Sequence, residues 1–182
     1  MVRINLEDTY ELTSMTPDLR EAAFYSCNRE GNPVLLNIQL KPALIELLPD
    51  VYNLGFGPLL PDAKIDDSAK IPHHDLNRMF STIILFALKF LTGNPTATVG
   101  LDGSDDMRAY LYHRMFISNR IYLSEYFTAL GVDWFVRLLR NGDYERNEDG
   151  AVFFKPKPES FDYQRPAWNL YRYYVFRLKK DR

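Results

Sequence analysis

The residues best suited to chemistry sit in one short turn, Asp102-Gly103-Ser104-Asp105-Asp106, where three carboxylates fall within five positions. Carboxylates at the end of a strand suit Mg2+ or Mn2+, hard cations that take oxygen ligands. An ion held there could assist phosphodiester hydrolysis. The same residues have a second use that needs no metal. Ser104 is a good helix N-cap, and Asp105 and Asp106 in the first turn would oppose the positive end of the helix dipole. The EF-hand spacing is absent, since no Glu stands at the twelfth loop position. No Glu-x-Lys follows on a nearby strand, as many metal nucleases would show.

Just downstream, Arg108, Tyr112, Met115 and Asn119 are spaced four, three and four apart, so a helix would carry them on one face. Arg114, Ser118 and Tyr122 fall on the adjoining strip. Such a face could bind phosphate or RNA, because the guanidinium fork matches phosphate geometry. Alternatively Arg108 is buried and paired with Asp102 or Asp106, since a buried Arg without a partner would be prohibitive.

The C-terminal segment offers a different chemistry. From Trp168 it interleaves aromatics with Arg172, Arg177, Lys179 and Lys180. Aromatics stack on bases and cations meet phosphates, which makes this the best nucleic-acid signal in the chain. Its plainer use is an edge strand whose aromatic face covers the core and whose Lys residues deter pairing.

Other candidates are weaker. His73-His74-Asp75 resembles part of a metal site, but His113 is the only other histidine, and Asp75 suits the start of a helix. Cys27, in an expected strand with no local base, reads as a small buried apolar residue. As the single cysteine it excludes an internal disulfide and a multi-cysteine zinc site. No nucleophile-elbow, Walker or dinucleotide fingerprint occurs, so the chain shows no recognised catalytic constellation.

The elements that must position these residues can be read from pattern. Glu7–Ser14, Ala22–Asn28 and Val34–Leu40 are expected strands between turn formers, and Leu36, Ile38 and Leu40 alternate with polar residues. Lys41–Leu48 suits a helical turn or two. Val51–Leu59 is extended, and Pro61–Lys70 is a polar loop. A first helix is expected from about Pro72 to Thr92, ended by Gly93-Asn94-Pro95. Thr96–Leu101 suits an interior strand. A second helix should begin near Ser104, run to about Leu130 and stop at Gly131. Val132–Leu139 and Ala151–Phe154 are expected strands, Lys155–Pro166 a connection, and Tyr171–Leu178 a last strand. The order predicts one α+β domain over residues 1–182. It would be two-layered, with two long helices on one face of a mostly antiparallel sheet and a basic aromatic strand or tail from about residue 168.

Composition sets the outer bounds. The chain has 182 residues, enough for one domain with a proper core. Aromatics reach 14%, which supplies extra core or an aromatic surface for a partner. Net charge is −2, so no global attraction to nucleic acid or an anionic membrane is expected. The apolar run Ile83–Leu91 is short against the ~20 residues that cross a bilayer. The N-terminus lacks the apolar core of a signal peptide, which with one cysteine suits the cytoplasm.

Phe80-Ser-Thr-Ile-Ile-Leu-Phe, Phe90-Leu-Thr-Gly-Asn-Pro, Gly100-Leu-Asp-Gly-Ser-Asp-Asp, Arg108-Ala-Tyr-Leu-Tyr, Gly131-Val and Val51-Tyr-Asn-Leu-Gly-Phe-Gly carry a family likeness. Over roughly residues 50–140 the chain resembles a group of small uncharacterised proteins of Bacteroidota, a domain of unknown function. The resemblance implies a bacterial cytoplasmic protein and brings no activity and no catalytic residues. Proteins of this kind often sit in toxin–antitoxin or phage-defence pairs. The expected function is therefore a binding protein, with a protein partner or a second copy favoured over nucleic acid. RNA stays open through the C-terminal segment. Two alternatives remain: a metal-dependent nuclease using Asp102, Asp105 and Asp106, and a homodimeric structural protein paired through the C-terminal strand. A cofactor, Mg2+ or Mn2+, is expected only for the nuclease.

Overall fold

The computed structural model describes residues 2–43, 45, 47–66, 69 and 71–180. Leu44 and Glu46 of the expected helical turn, and Asp67, Ser68 and Lys70 of the expected polar loop, lie outside the described residues. The strands are β1 (Leu12–Met15), β2 (Glu21–Cys27), β3 (Pro33–Pro42), β4 (Val51–Gly57), β5 (Thr98–Asp102), β6 (Phe127–Phe135), β7 (Lys155–Ser160) and β8 (Tyr173–Leu178). The helices are α1 (Leu76–Gly93), α2 (Asp106–Ser118) and α3 (Arg120–Tyr126).

The strands form one sheet in the order β1-β2-β3-β4-β5-β8-β6-β7. Every pairing is antiparallel except β4 with β5, which α1 joins as a crossover. A mixed, mostly antiparallel sheet with helices is the expected class. The expected pair of long helices is not. α1 is long, but the second helix ends at Ser118, and α3 restarts for only seven residues. Residues Phe127–Leu130, expected in that helix, open β6 instead.

α1 forms because its apolar residues recur at helical spacing, and ten of its residues are buried. Asp75 caps it, accepting from the Arg78 N–H at 2.9 Å, and the Asn94 N–H closes its end on the Leu91 carbonyl. By length and composition α1 could cross a membrane, a test that a buried core helix also passes.

β7 and β8 also differ from the reading of the sequence, and the expected strand Ala151–Phe154 holds only an isolated bridge from Val152 to Arg146. β7 carries Pro156 and Pro158 within a stretch expected to be a connection. It is an edge strand paired only with β6. Alternate residues of a strand point their backbone groups the same way. Both ring nitrogens therefore fall on the open edge, where no donor is needed and a further strand is blocked. β8 was expected as an edge or tail, and it is interior, between β5 and β6. The C-terminal strand therefore offers no free edge for pairing with a second copy.

The core has two parts. Tyr174 and Phe176 of β8 join the buried side chains of all three helices in the larger cluster. Tyr173 and Val175 point to the opposite face, into a smaller cluster with Val51 and Val132. Two glycines make room for tyrosines. A Cβ on Gly131 would stand 2.3 Å from the Tyr171 ring, and one on Gly100 would stand 2.0 Å from the Tyr173 hydroxyl.

Among the described residues, the N-terminal segment 2–10 has no strand partner. Side chains of the helices meet its backbone instead. The Arg3 N–H donates to Asn77 (2.8 Å), Ile4 to Asn119 (2.7 Å), Asn5 to Ser81 (2.9 Å), Leu6 to Tyr122 (3.1 Å) and Tyr10 to Thr82 (2.9 Å). Val2 and Ile4 are buried in the larger cluster.

Candidate functional site

The acidic turn follows β5 and is held on both sides. The Gly103 N–H donates to the Arg172 carbonyl at 3.1 Å, and the Ser104 N–H to Asp102 Oδ1 at 2.8 Å. Asp105, not Ser104, is the N-cap of α2, with Oδ1 accepting from the Arg108 N–H at 2.8 Å. Its other oxygen takes the Arg108 guanidinium, and these bonds hold the Asp105 carboxyl below its usual range. Arg108 thus pairs with Asp105 rather than with Asp102 or Asp106. Asp106 pairs instead with Arg172 at 2.7 Å. The three carboxylates therefore turn to three different partners. Among the described residues no group of three His, Cys, Asp or Glu side chains is placed to hold a metal.

The helix face expected to bind a partner is largely turned inward. Tyr112 and Met115 are buried, and so is Asn119, only 7% exposed. Asn119 Oδ1 accepts from Ile4 N–H, and Nδ2 donates to the carbonyls of Val2 (3.0 Å) and Met115 (2.7 Å). It interrupts the helix and ties down the N-terminal segment. In the C-terminal segment Tyr171, Tyr173, Tyr174 and Phe176 are buried, which removes them as a stacking platform, whereas Trp168 is 85% exposed. Arg177, Lys179 and Lys180 are exposed, and Lys179 donates to the Ser124 carbonyl at 2.9 Å. Cys27, expected to be buried, is exposed.

A cleft of about 730 Å3 opens between the first turns of α1 and α2. Leu36, Phe56, Met79, Phe80 and Leu111 give it an apolar wall, and Asp66, His73, Asp105, Arg108 and Tyr112 give it polar ends. His73 Nδ1 shares a 2.8 Å hydrogen bond with the buried Ser26 hydroxyl, which leaves Nε2 for other contacts. Burial lowers the His73 pKa, so the ring is neutral at neutral pH. A pocket of about 40 Å3 at the carboxyl ends of β4 and β5 shares Arg108 and Tyr112 with this cleft. It also shares Asn53 and Asp102 with a third cleft, of about 410 Å3. Ligands of open α/β sheets gather at such strand ends. Spacing could not have exposed the large cleft, whose lining comes from four separate stretches of chain.

His113 is placed differently from the other histidines. It is buried against Phe161, stacked at 5.2 Å, and neither ring nitrogen has a hydrogen-bond partner among the described residues. Burial pushes its pKa down, against the nearby Arg165 backbone, which favours the charged ring, while the Arg165 guanidinium disfavours it.

Comparison with known proteins adds one finding. The family model of a family of unknown function, DUF6934, matches residues 6–154. The chain belongs to this family. No curated protein and no solved structure matches it. Membership of DUF6934 carries no activity, so the nuclease and toxin–antitoxin readings gain no support from it. The DUF6934 match also stops short of β7 and β8, the second of which lies inside the sheet.

Proposed function

We propose that this chain is a non-catalytic binding protein whose ligand is a small, neutral, amphipathic molecule held in the cleft between α1 and α2. The observation that carries this reading is the cleft itself. Its volume falls in the ~300–1,000 Å3 range of small-ligand sites, and it has their make-up of apolar walls with few polar groups. A neutral ligand fits because Arg108 is already paired with Asp105 and His73 is uncharged. The His73 Nε2 would meet the ligand's hydrogen-bonding end, while Phe56, Met79 and Phe80 cover its apolar body.

Nile red, a neutral dye that brightens in apolar sites, tests this. It should bind the full chain saturably at one site, and Leu111→Trp, which fills the cleft, should weaken binding by about tenfold, the effect of ~1.4 kcal/mol. Equal binding by both proteins, with matching circular dichroism, would count against the cleft.

A second reading, a protein partner, rests on the excursion between β6 and β7. Residues 136–154 carry Leu138 (65% exposed), Tyr144 and Phe154 (60% exposed), next to exposed Phe135. Exposed apolar groups gathered on one projection mark interaction surfaces. This is the surface we propose for a partner in a toxin–antitoxin or phage-defence pair. Leu138→Glu with Phe154→Glu should abolish co-purification of a stoichiometric partner from the native cell. Retention of that partner by the double variant would remove this surface from consideration.

A further inference from the structure

The 410 Å3 cleft lies on the other side of the acidic turn and has a different character. Its lining brings together Asn53 of β4, Asp102 and Ser104 at the end of β5, Trp134 of β6, and Arg172 and Tyr173 at the start of β8. Four strands that are far apart in sequence therefore place one flat aromatic ring beside a carboxylate, an amide and a guanidinium. Trp134 is 38% exposed and lines the cleft, so part of the indole is open to a ligand there.

The hydrogen-bonding groups have a defined remainder. The Tyr173 hydroxyl donates to Asn53 Oδ1 at 3.0 Å, which leaves the Nδ2 group as a donor. Asp102 Oδ1 takes the Ser104 N–H, so Oδ2 and one lone pair on Oδ1 remain as acceptors. Arg172 Nη1 meets Asp106 at 2.7 Å, and the guanidinium keeps further N–H groups. Tyr173 is buried, and its pKa is raised first by that burial and then by the negative charge of Asp102. The phenol stays a neutral donor and locks the Asn53 amide in place.

An acceptor pair, donors and an aromatic ring lining one cleft are the complement of one kind of ring. A guanine base offers adjacent N1–H and N2–H donors, which match a carboxylate, and an O6 acceptor beside them, which matches an amide or guanidinium donor. Adenine presents an acceptor at N1 and would face Asp102 with a lone pair. Stacking alone would accept any base, so the discrimination must come from Asp102.

We propose that this cleft binds the guanine base of a free nucleoside or nucleotide, stacked on Trp134 and read by Asp102 and Asn53. The volume is in the range of small-ligand sites, ~300–1,000 Å3. The site is separate from the apolar cleft between α1 and α2, and it stands or falls independently of that reading.

Fluorescence gives the test. The chain has two tryptophans, so Trp168→Phe leaves Trp134 as the sole reporter. Excitation near the red edge of indole absorption avoids the nucleotides themselves. Guanosine and guanosine monophosphate should quench Trp134 saturably, and adenosine should bind at least about tenfold more weakly, as expected for one mismatched base edge. Asp102→Asn keeps an oxygen for the Ser104 N–H but places an amide where the acceptor was. It should erase the preference for guanosine while circular dichroism stays unchanged. Calorimetry with Trp134→Leu should show loss of binding in the same titration. The proposal is overturned by absence of saturable quenching at millimolar guanosine, by equal affinity for adenosine, or by full guanosine binding in Asp102→Asn. Binding seen with single-stranded RNA but with no mononucleotide would overturn it as well.

Discussion

A chain ended at Ala167 will not fold. It will give a disordered circular dichroism spectrum, no cooperative denaturation and aggregation on concentration. The cut removes β8, and β8 is paired on both sides: with β5 through Val99–Asp102 and with β6 through Phe127–Val132. It also removes Tyr171, Tyr173, Tyr174, Val175 and Phe176, all buried. Five such side chains, at ~1.5–3 kcal/mol each, represent about 7–15 kcal/mol of burial. The whole stability of a domain is ~5–15 kcal/mol. The cut further leaves β5 and β6 with unpaired backbone edges, which invite association. The Tyr174 hydroxyl would no longer meet the Ala109 carbonyl at 2.8 Å, so α2 would lose an anchor too. A dispersed amide spectrum with a cooperative urea transition from the truncated chain would sink this account. The same reasoning means that residues 6–154, the stretch matched by DUF6934, are not a folding unit alone.

What the sequence made legible was local. The spacing of Met79, Phe80, Ile83 and Phe86, with Asp75 before and Gly93-Asn94-Pro95 after, specified α1 within a few residues. The alternation Leu36, Ile38, Leu40 specified β3, and Lys41 and Pro42 lengthened it into residues expected to turn. The failures have a common cause, which is that a distant partner decided the outcome. Pro156 and Pro158 argue against a strand by themselves, and only a sheet edge makes them acceptable. Tyr171–Leu178 interleaves aromatics with Arg172 and Arg177 as an edge strand would, and nothing local says that β5 and β6 will close on both sides of it. The periodicity of the second helix runs on past Asn119. The break there depends on the N-terminal segment, about 115 residues earlier, supplying a donor and an acceptor for the amide. Among the candidate site residues, the turn 102–106 was legible as a turn and as a cap. Which carboxylate meets which arginine was not, because Arg172 arrives from the far end of the chain.

Asn119 is the residue on which the two accounts of this helix face part company, and replacing it should have the largest single-residue effect on stability argued for this fold. As a contact for RNA or a partner, Asn119→Ala would weaken binding and leave the fold intact. As the buried anchor described above, Asn119→Ala removes three hydrogen bonds and leaves the Ile4 N–H and the Val2 carbonyl without their partners. An orphaned buried group costs ~1–3 kcal/mol, so the loss from the two should be about 2–6 kcal/mol. The urea midpoint should fall, with the slope of the transition little changed. The damage should also be local first. Val2 and Ile4 fill the larger core cluster, but residues 2–10 are held by side chains rather than by a ladder, so they can release before the sheet does. Amide exchange at Ile4, Asn5 and Leu6 should therefore quicken well before that of β8. Asp fails at this position for a related reason, since a carboxylate cannot donate to the Val2 and Met115 carbonyls. If Asn119→Ala lowers stability by less than ~1 kcal/mol and leaves exchange at Ile4 unchanged, the anchoring role is wrong and the face regains its claim as a binding surface.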